Sequence, residues 1–153
     1  MKRIIYSPGE PAGIGPDLII KIASSQSWEN FKIPIVSIGD PSLFLERAKL
    51  LNKKIEVIQI DSVINSKPNR KGFLQVIKTI KCKKTAPGKL HNLNGEYVLN
   101  NLDYAIKETI KNQKSALVTG PLSKENVISL DKGFSGHTEY IQKITKSNDV
   151  LMM

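Results

Sequence analysis

Between Thr119 and Ile141 the chain reads TGPLSKENVISLDKGFSGHTEYI, and its polar side chains are spaced for holding an anion. Gly120-Pro121 makes a turn directly after the apolar run Ala116-Leu117-Val118, which reads as a buried strand. Such a turn suits a strand end and cannot sit inside a helix. Ser123 and Lys124 then stand where one helix would begin, and Gly136-His137-Thr138-Glu139 where a second would. A helix start presents unpaired backbone N–H groups and the positive end of the peptide dipole. Two of them after a strand end, beside hydroxyl, ammonium and imidazole groups, define the first candidate site.

Residue types alone leave the individual roles open. His137 is as well suited to capping a loop by hydrogen bonds to backbone as to holding a ligand. Thr138 fits the N-cap of the last helix, where its hydroxyl would also face an approaching anion. Lys124 can pair with a phosphate or lie on a solvated helix face, and Glu139 complements the helix dipole. His91, in Leu90-His91-Asn92, reads as an exposed polar residue. Cys82 lies among lysines with no base near it in the chain, and reads as non-catalytic. As the single cysteine it excludes an internal disulfide and fits a reducing compartment.

A second candidate is the Gly/Pro-rich loop Pro8-Gly9-Glu10-Pro11-Ala12-Gly13-Ile14-Gly15-Pro16. It follows a short strand, Lys2 to Ser7, and precedes a helix from about Asp17. Two nucleotide-binding fingerprints can be tested against it. The GxGxxG pattern needs a glycine at position 18, which is Leu18, and the P-loop needs a Gly-Lys-Ser/Thr ending, which is absent. A tight strand-to-helix turn explains the three glycines without a ligand.

The elements that must position these residues alternate. Strands are expected at Lys2–Ser7, Ile33–Gly39, Ile55–Ile60 and Ala116–Val118, with a further one starting in Asp149–Met153. Helices are expected from Asp17 (Ile19, Ile20, Ile22 and Ala23 buried) and after Asp40-Pro41-Ser42 (Leu43, Phe44, Ala48 and Leu51 buried). A third helix runs from Asn94-Gly95 to Lys111, burying Tyr97, Val98, Leu102, Ala105, Ile106 and Ile110, and a last one carries Tyr140, Ile141 and Ile144. The segment Phe73–Cys82 fits a strand or a weak helix. Alternating strands and helices predict a mostly parallel sheet covered on both faces, an α/β fold.

At 153 residues the chain fits one domain with a substantial core. No apolar run approaches the roughly 20 residues that span a bilayer, so no membrane association is expected. The apolar stretch behind Met1-Lys2-Arg3 is too short for a signal peptide, which makes the cytoplasm the expected location. The net charge of +9 raises nucleic acid as a partner. The lysines are scattered, however, and aromatic residues, at 6%, do not interleave with them as a stacking platform would require. Small anionic substrates make better use of the same charge.

Three stretches, in order, carry a family resemblance: Gly9 to Pro16, then Pro87-Gly88-Lys89-Leu90 with Asn94-Gly95-Glu96-Tyr97-Val98-Leu99, then Thr119-Gly120-Pro121 with Lys124 and Gly136-His137-Thr138-Glu139. Together they resemble the N-terminal half of the 4-hydroxythreonine-4-phosphate dehydrogenase family of pyridoxal phosphate biosynthesis. Asp17 stands where that family commonly has Glu. The resemblance implies a three-layer α/β/α fold with a mostly parallel sheet, like isocitrate and isopropylmalate dehydrogenases, incomplete at its C-terminus. It implies NAD-dependent oxidation of 4-phosphooxy-L-threonine followed by decarboxylation, by a homodimer with a divalent metal ion. His137 and Thr138 map onto the family's substrate-binding His-Thr pair.

Sister enzymes of the family act on four-carbon sugar-acid phosphates such as threonate or erythronate 4-phosphate. The family's chain is about twice as long, so residues 1–153 read as the N-terminal portion of a longer dehydrogenase whose second half is absent. The metal-binding histidines are expected beyond this chain, since His91 and His137 are its only two. The alternative is a catalytically silent folding or dimerising remnant.

Overall fold

The computed structural model describes residues 2–148; the strand expected within Asp149–Met153 lies outside them. In chain order the regular elements are β1 (Arg3–Ser7), α1 (Gly15–Ala23), β2 (Ile35–Ile38), α2 (Pro41–Leu50), β3 (Glu56–Gln59), β4 (Phe73–Ile77), α3 (Gly95–Lys111), β5 (Ser115–Thr119), α4 (Lys124–Ile128) and α5 (His137–Thr145). Among the described residues the five strands form one sheet in the order β3-β4-β2-β1-β5, and every neighbouring pair is parallel.

Period-two alternation sends successive strand residues to opposite faces and so builds two cores. Tyr6, Ile35, Leu74 and Val76 pack against Ile19, Ile20 and Ala23 of α1 and Phe44 and Ala48 of α2. Ile5, Val36, Ile38 and Ile77 pack on the other face with Ala105 of α3. Beyond it, α4 and α5 join α3 through Tyr97, Val98, Leu102, Val127 and Phe134. The result is three layers, α/β/α.

Local chemistry explains the helix starts. Pro16 lies in the first turn of α1, where its missing N–H costs nothing, and Asp40 caps α2 by accepting the Ser42 N–H at 3.0 Å.

The ambiguous Phe73–Cys82 segment contains a strand, β4, inserted between β2 and β3. Among the described residues the expected buried strand at Ala116–Val118 is instead a sheet edge. With β1 on one side only, β5 alternates between half-buried and exposed residues, and Val118 is 45% exposed. Ile110, expected on the buried face of α3, is 53% exposed, because it lies in the last turn of α3, past the buried stretch that ends at Ile106. Ile22 and Leu51 are half-buried at the margins of their helices.

Candidate functional site

The chain leaves β1 toward β2 on one side and returns, after α3, to β5 on the other side of β1. The crevice outside the carboxyl ends of β1 and β5 is therefore a topological switch point, the usual place for a ligand in an open parallel sheet. The Gly9–Pro16 loop and the Gly120–Lys124 segment both lie there.

These two loops are packed backbone to backbone. Gly120 N donates to Ser7 O at 2.7 Å and Glu10 N to Pro121 O at 2.9 Å, so the parallel pairing continues past the strands. Gly9 has φ +78°, and a Cβ on it would fall 2.2 Å from the Pro121 carbonyl oxygen; one on Gly15 would fall 1.8 Å from that of Pro8. Both glycines serve close chain approach. That is the ligand-free explanation, and it offers no phosphate cradle at the loop.

Side chains lock the loop from two directions. The buried Arg47 guanidinium donates to the carbonyls of Pro11 (2.6 Å) and Gly13 (3.3 Å) and pairs with Asp17 at 2.8 Å. Asp17 thus does more than complement the dipole of α1. On the other side Glu10, 4% exposed, accepts the Ala12 N–H at 3.2 Å and the Asn126 side-chain N–H at 3.0 Å.

Of the two expected helix starts, the first is short. Helix α4 has five residues, and its Ser123 cap is engaged with the Asn126 N–H at 3.5 Å. Helix α5 has nine residues and opens with His137. Gly136 is its N-cap and no side chain caps it, so Thr138 is not the cap but the second helical residue. The ends of two side chains lie close to it: a Cβ on Gly136 would fall 3.0 Å from a Glu139 carboxylate oxygen and 3.8 Å from Lys124 Nζ.

Lys124 is exposed, makes no ion pair among the described residues, and brings its ammonium beside the start of α5. His137 is half-buried, and burial lowers its pKa, favouring the neutral imidazole. Tyr140 fastens α5 to α3 by donating to Asp103 Oδ1 at 2.7 Å, and its ring packs on Phe134 at 5.2 Å. The fold thus gathers Lys124, Gly136, His137 and Thr138 at one helix end, an arrangement able to receive an anion.

Two other residues depart from expectation. His91 is half-buried, and its Nδ1 accepts the Leu93 N–H at 3.3 Å, so it caps a short 3-10 turn instead of standing free in solvent. Cys82 is half-buried with its thiol pushed up to about 12 by burial and by the carboxylates of Asp40, Glu10 and Glu46. A thiol held protonated is a poor nucleophile, in line with its non-catalytic reading.

The pairing of Glu10 with Asn126 is not visible in the sequence. A carboxylate inside a Gly/Pro/Ala loop is a signal for the first, but nothing local marks an asparagine 116 residues away. Among the described residues no group of three or more His, Cys, Asp or Glu is placed to hold a metal ion.

The family described as pyridoxal phosphate biosynthetic protein PdxA matches residues 30–153. The 4-hydroxythreonine-4-phosphate dehydrogenase of Colwellia psychrerythraea is 38% identical over 152 residues, covering 99% of this chain and 45% of the relative. That of Pseudoalteromonas translucida is 37% identical over 151 residues, covering 99% and 44%. The crystal structure of the Klebsiella pneumoniae 4-hydroxythreonine-4-phosphate dehydrogenase superimposes with a TM-score of 0.83 at 24% identity, over 97% of this chain and 46% of that one, a likeness of fold. The chain spans a little under half the length of the curated relatives it matches.

Proposed function

Because the chain belongs to the pyridoxal phosphate biosynthetic protein PdxA family, we propose that it serves the oxidation of 4-phosphooxy-L-threonine by holding the phosphorylated substrate at the start of α5. The observation that carries this reading is the Lys124 ammonium, without an ion pair among the described residues, beside Gly136 at the head of the helix that bears His137 and Thr138. Lys124 and the backbone N–H groups of α5 supply positive potential to the substrate, and His137 and Thr138 fix its orientation. Holding the reacting carbon in one position relative to a hydride acceptor is worth rate through lost motional freedom.

NAD is the acceptor in this reading, and decarboxylation follows the oxidation. NAD would take up the hydride when bound, although the Gly9–Pro16 loop is closed on itself and offers it no cradle. A divalent metal would polarise the substrate hydroxyl, but the described residues do not fit one. The same reading takes this chain as the substrate-gripping portion of a homodimeric, cytoplasmic dehydrogenase. Threonate or erythronate 4-phosphate would present the same phosphate to the same groups.

Calorimetry with 4-phosphooxy-L-threonine tests the reading. Binding to the purified chain should weaken about tenfold in His137→Ala and in Lys124→Ala, the loss expected for a charged hydrogen bond of about 1.5 kcal/mol. Equal affinity in all three proteins would sink it.

A further inference from the structure

Asn126 lies at the meeting point of three segments, and none of the roles above uses it. It is only 5% exposed. Its Nδ2 donates to Glu10 Oε2 at 3.0 Å and to the His91 carbonyl at 3.4 Å. Its own carbonyl leaves no room on Gly95, where a Cβ would fall 2.4 Å from that oxygen. One short-helix residue therefore ties the Gly9–Pro16 loop, the His91 turn and the start of α3 to α4. Glu10 is fixed in turn by the Ala12 N–H.

Helix α4 has little else to hold it. It is five residues long, too short for its own hydrogen bonds to stabilise it. Its buried residues are Asn126 and Val127, of which Val127 supplies apolar packing. Val127 sets how deep α4 sits in the cluster around Tyr97, Val98 and Leu102, but apolar packing is not directional. The two hydrogen bonds of Asn126 add direction, tying α4 to Glu10 and to the His91 turn. Lys124 is two residues before Asn126 and carries its ammonium to within reach of Gly136.

On the reading that the start of α5 holds a phosphorylated substrate, we infer that Asn126 is a positioning residue. Latched to Glu10, it sets the aim of Lys124 at the anion bound by α5. The dependence runs through Lys124, and this separates the inference from a general role in stability. A buried carboxylate left without its amide partner would also drive Glu10 to seek other donors, displacing the loop it anchors.

The test uses the purified chain with 4-phosphooxy-L-threonine and, separately, inorganic phosphate as probes. Asn126→Ala should weaken binding of the substrate about tenfold, as Lys124→Ala does, while the double variant loses no more than either single one. Glu10→Gln combined with Asn126→Asp reverses the hydrogen bond between the two positions but sets a carboxylate oxygen against the His91 carbonyl, so it should recover part of the affinity lost in Asn126→Ala. That pair also serves if Asn126→Ala does not fold.

Without ligand, Asn126→Ala should accelerate amide exchange at Ala12, whose N–H is held by Glu10, and at Val127, whose N–H is held within α4. Additive losses in the double variant, or no rescue by the reversed pair, overturn the inference while leaving the substrate reading intact. No binding of either probe by the original chain, with exchange still responding to Asn126, defeats the substrate reading and leaves the latch as a structural tie without the assigned role. Unchanged exchange at Ala12 and Val127 defeats the latch whatever the affinities are.

Discussion

His137 is the residue whose protonation links the site to stability. Burial lowers its pKa below the ordinary value of about 6.5. Between the folded and unfolded values the unfolded chain binds a proton that the folded chain does not, so the free energy of unfolding rises with pH there. The stabilising preference for neutral imidazole is complete above about pH 6.5 and is lost as pH falls through the folded pKa. Urea denaturation at pH 7.5 and 5.5 should show a loss of stability on acidification that is smaller in His137→Gln. An unchanged difference between the two pH values in that variant would remove His137 as its source. A phosphate beside the ring favours imidazolium, so ligand should move the imidazole titration upward, an effect that NMR of the ring protons reads directly.

At the scale of elements, the Gly9–Pro16 loop owes its shape to α2, through Arg47. The guanidinium is 3% exposed and satisfies two backbone carbonyls and Asp17 at once. Arg47→Ala leaves those acceptors buried and short of donors, and should cost about 3–5 kcal/mol in denaturant-induced unfolding. Arg47→Lys should recover part of this, since an ammonium cannot match the planar fork. The strands and helices themselves were legible, because apolar periodicity and the capping residues Pro16, Asp40 and Ser123 are local signals. The tie between Arg47 and Asp17, and that between Glu10 and Asn126, join residues 30 and 116 positions apart and leave no local trace. Strand order was equally hidden: Ala116-Leu117-Val118 looks like a buried strand by composition, and only the crossover by α3 makes it an edge. Thr138, expected as the cap, lies two positions past it. Threonine is the better cap by side-chain chemistry, but the helix starts at His137, which places Gly136 at the cap and Thr138 inside the first turn.

Among the described residues the two edges of the sheet are protected unequally, and the net charge of the molecule sets whether the weaker edge associates. Strand β3 carries Glu56 and lies just after Lys53-Lys54, charges that discourage pairing with another chain. Strand β5, Ser115–Thr119, has no charge and no proline. Beside it runs an apolar groove of about 610 Å³ lined by Tyr6, Leu18, Ile22, Phe31 and Val118 among others. Such an edge next to such a groove favours self-association, while a net charge of +9 opposes it. Salt screens the repulsion and strengthens the burial of apolar surface, so association should increase from 0.05 to about 0.5 M salt. Phosphate binding at Lys124 has the opposite dependence and should weaken over the same range. Val118→Lys places a charge on the open edge without disturbing the ladder to β1, since the strand backbone is unchanged. Sedimentation velocity should then show the salt-promoted association of the original chain reduced to monomer in the variant, with affinity for the phosphorylated ligand preserved. Association that persists in Val118→Lys, or that declines with salt, would place the contact on the charged surface and not at β5.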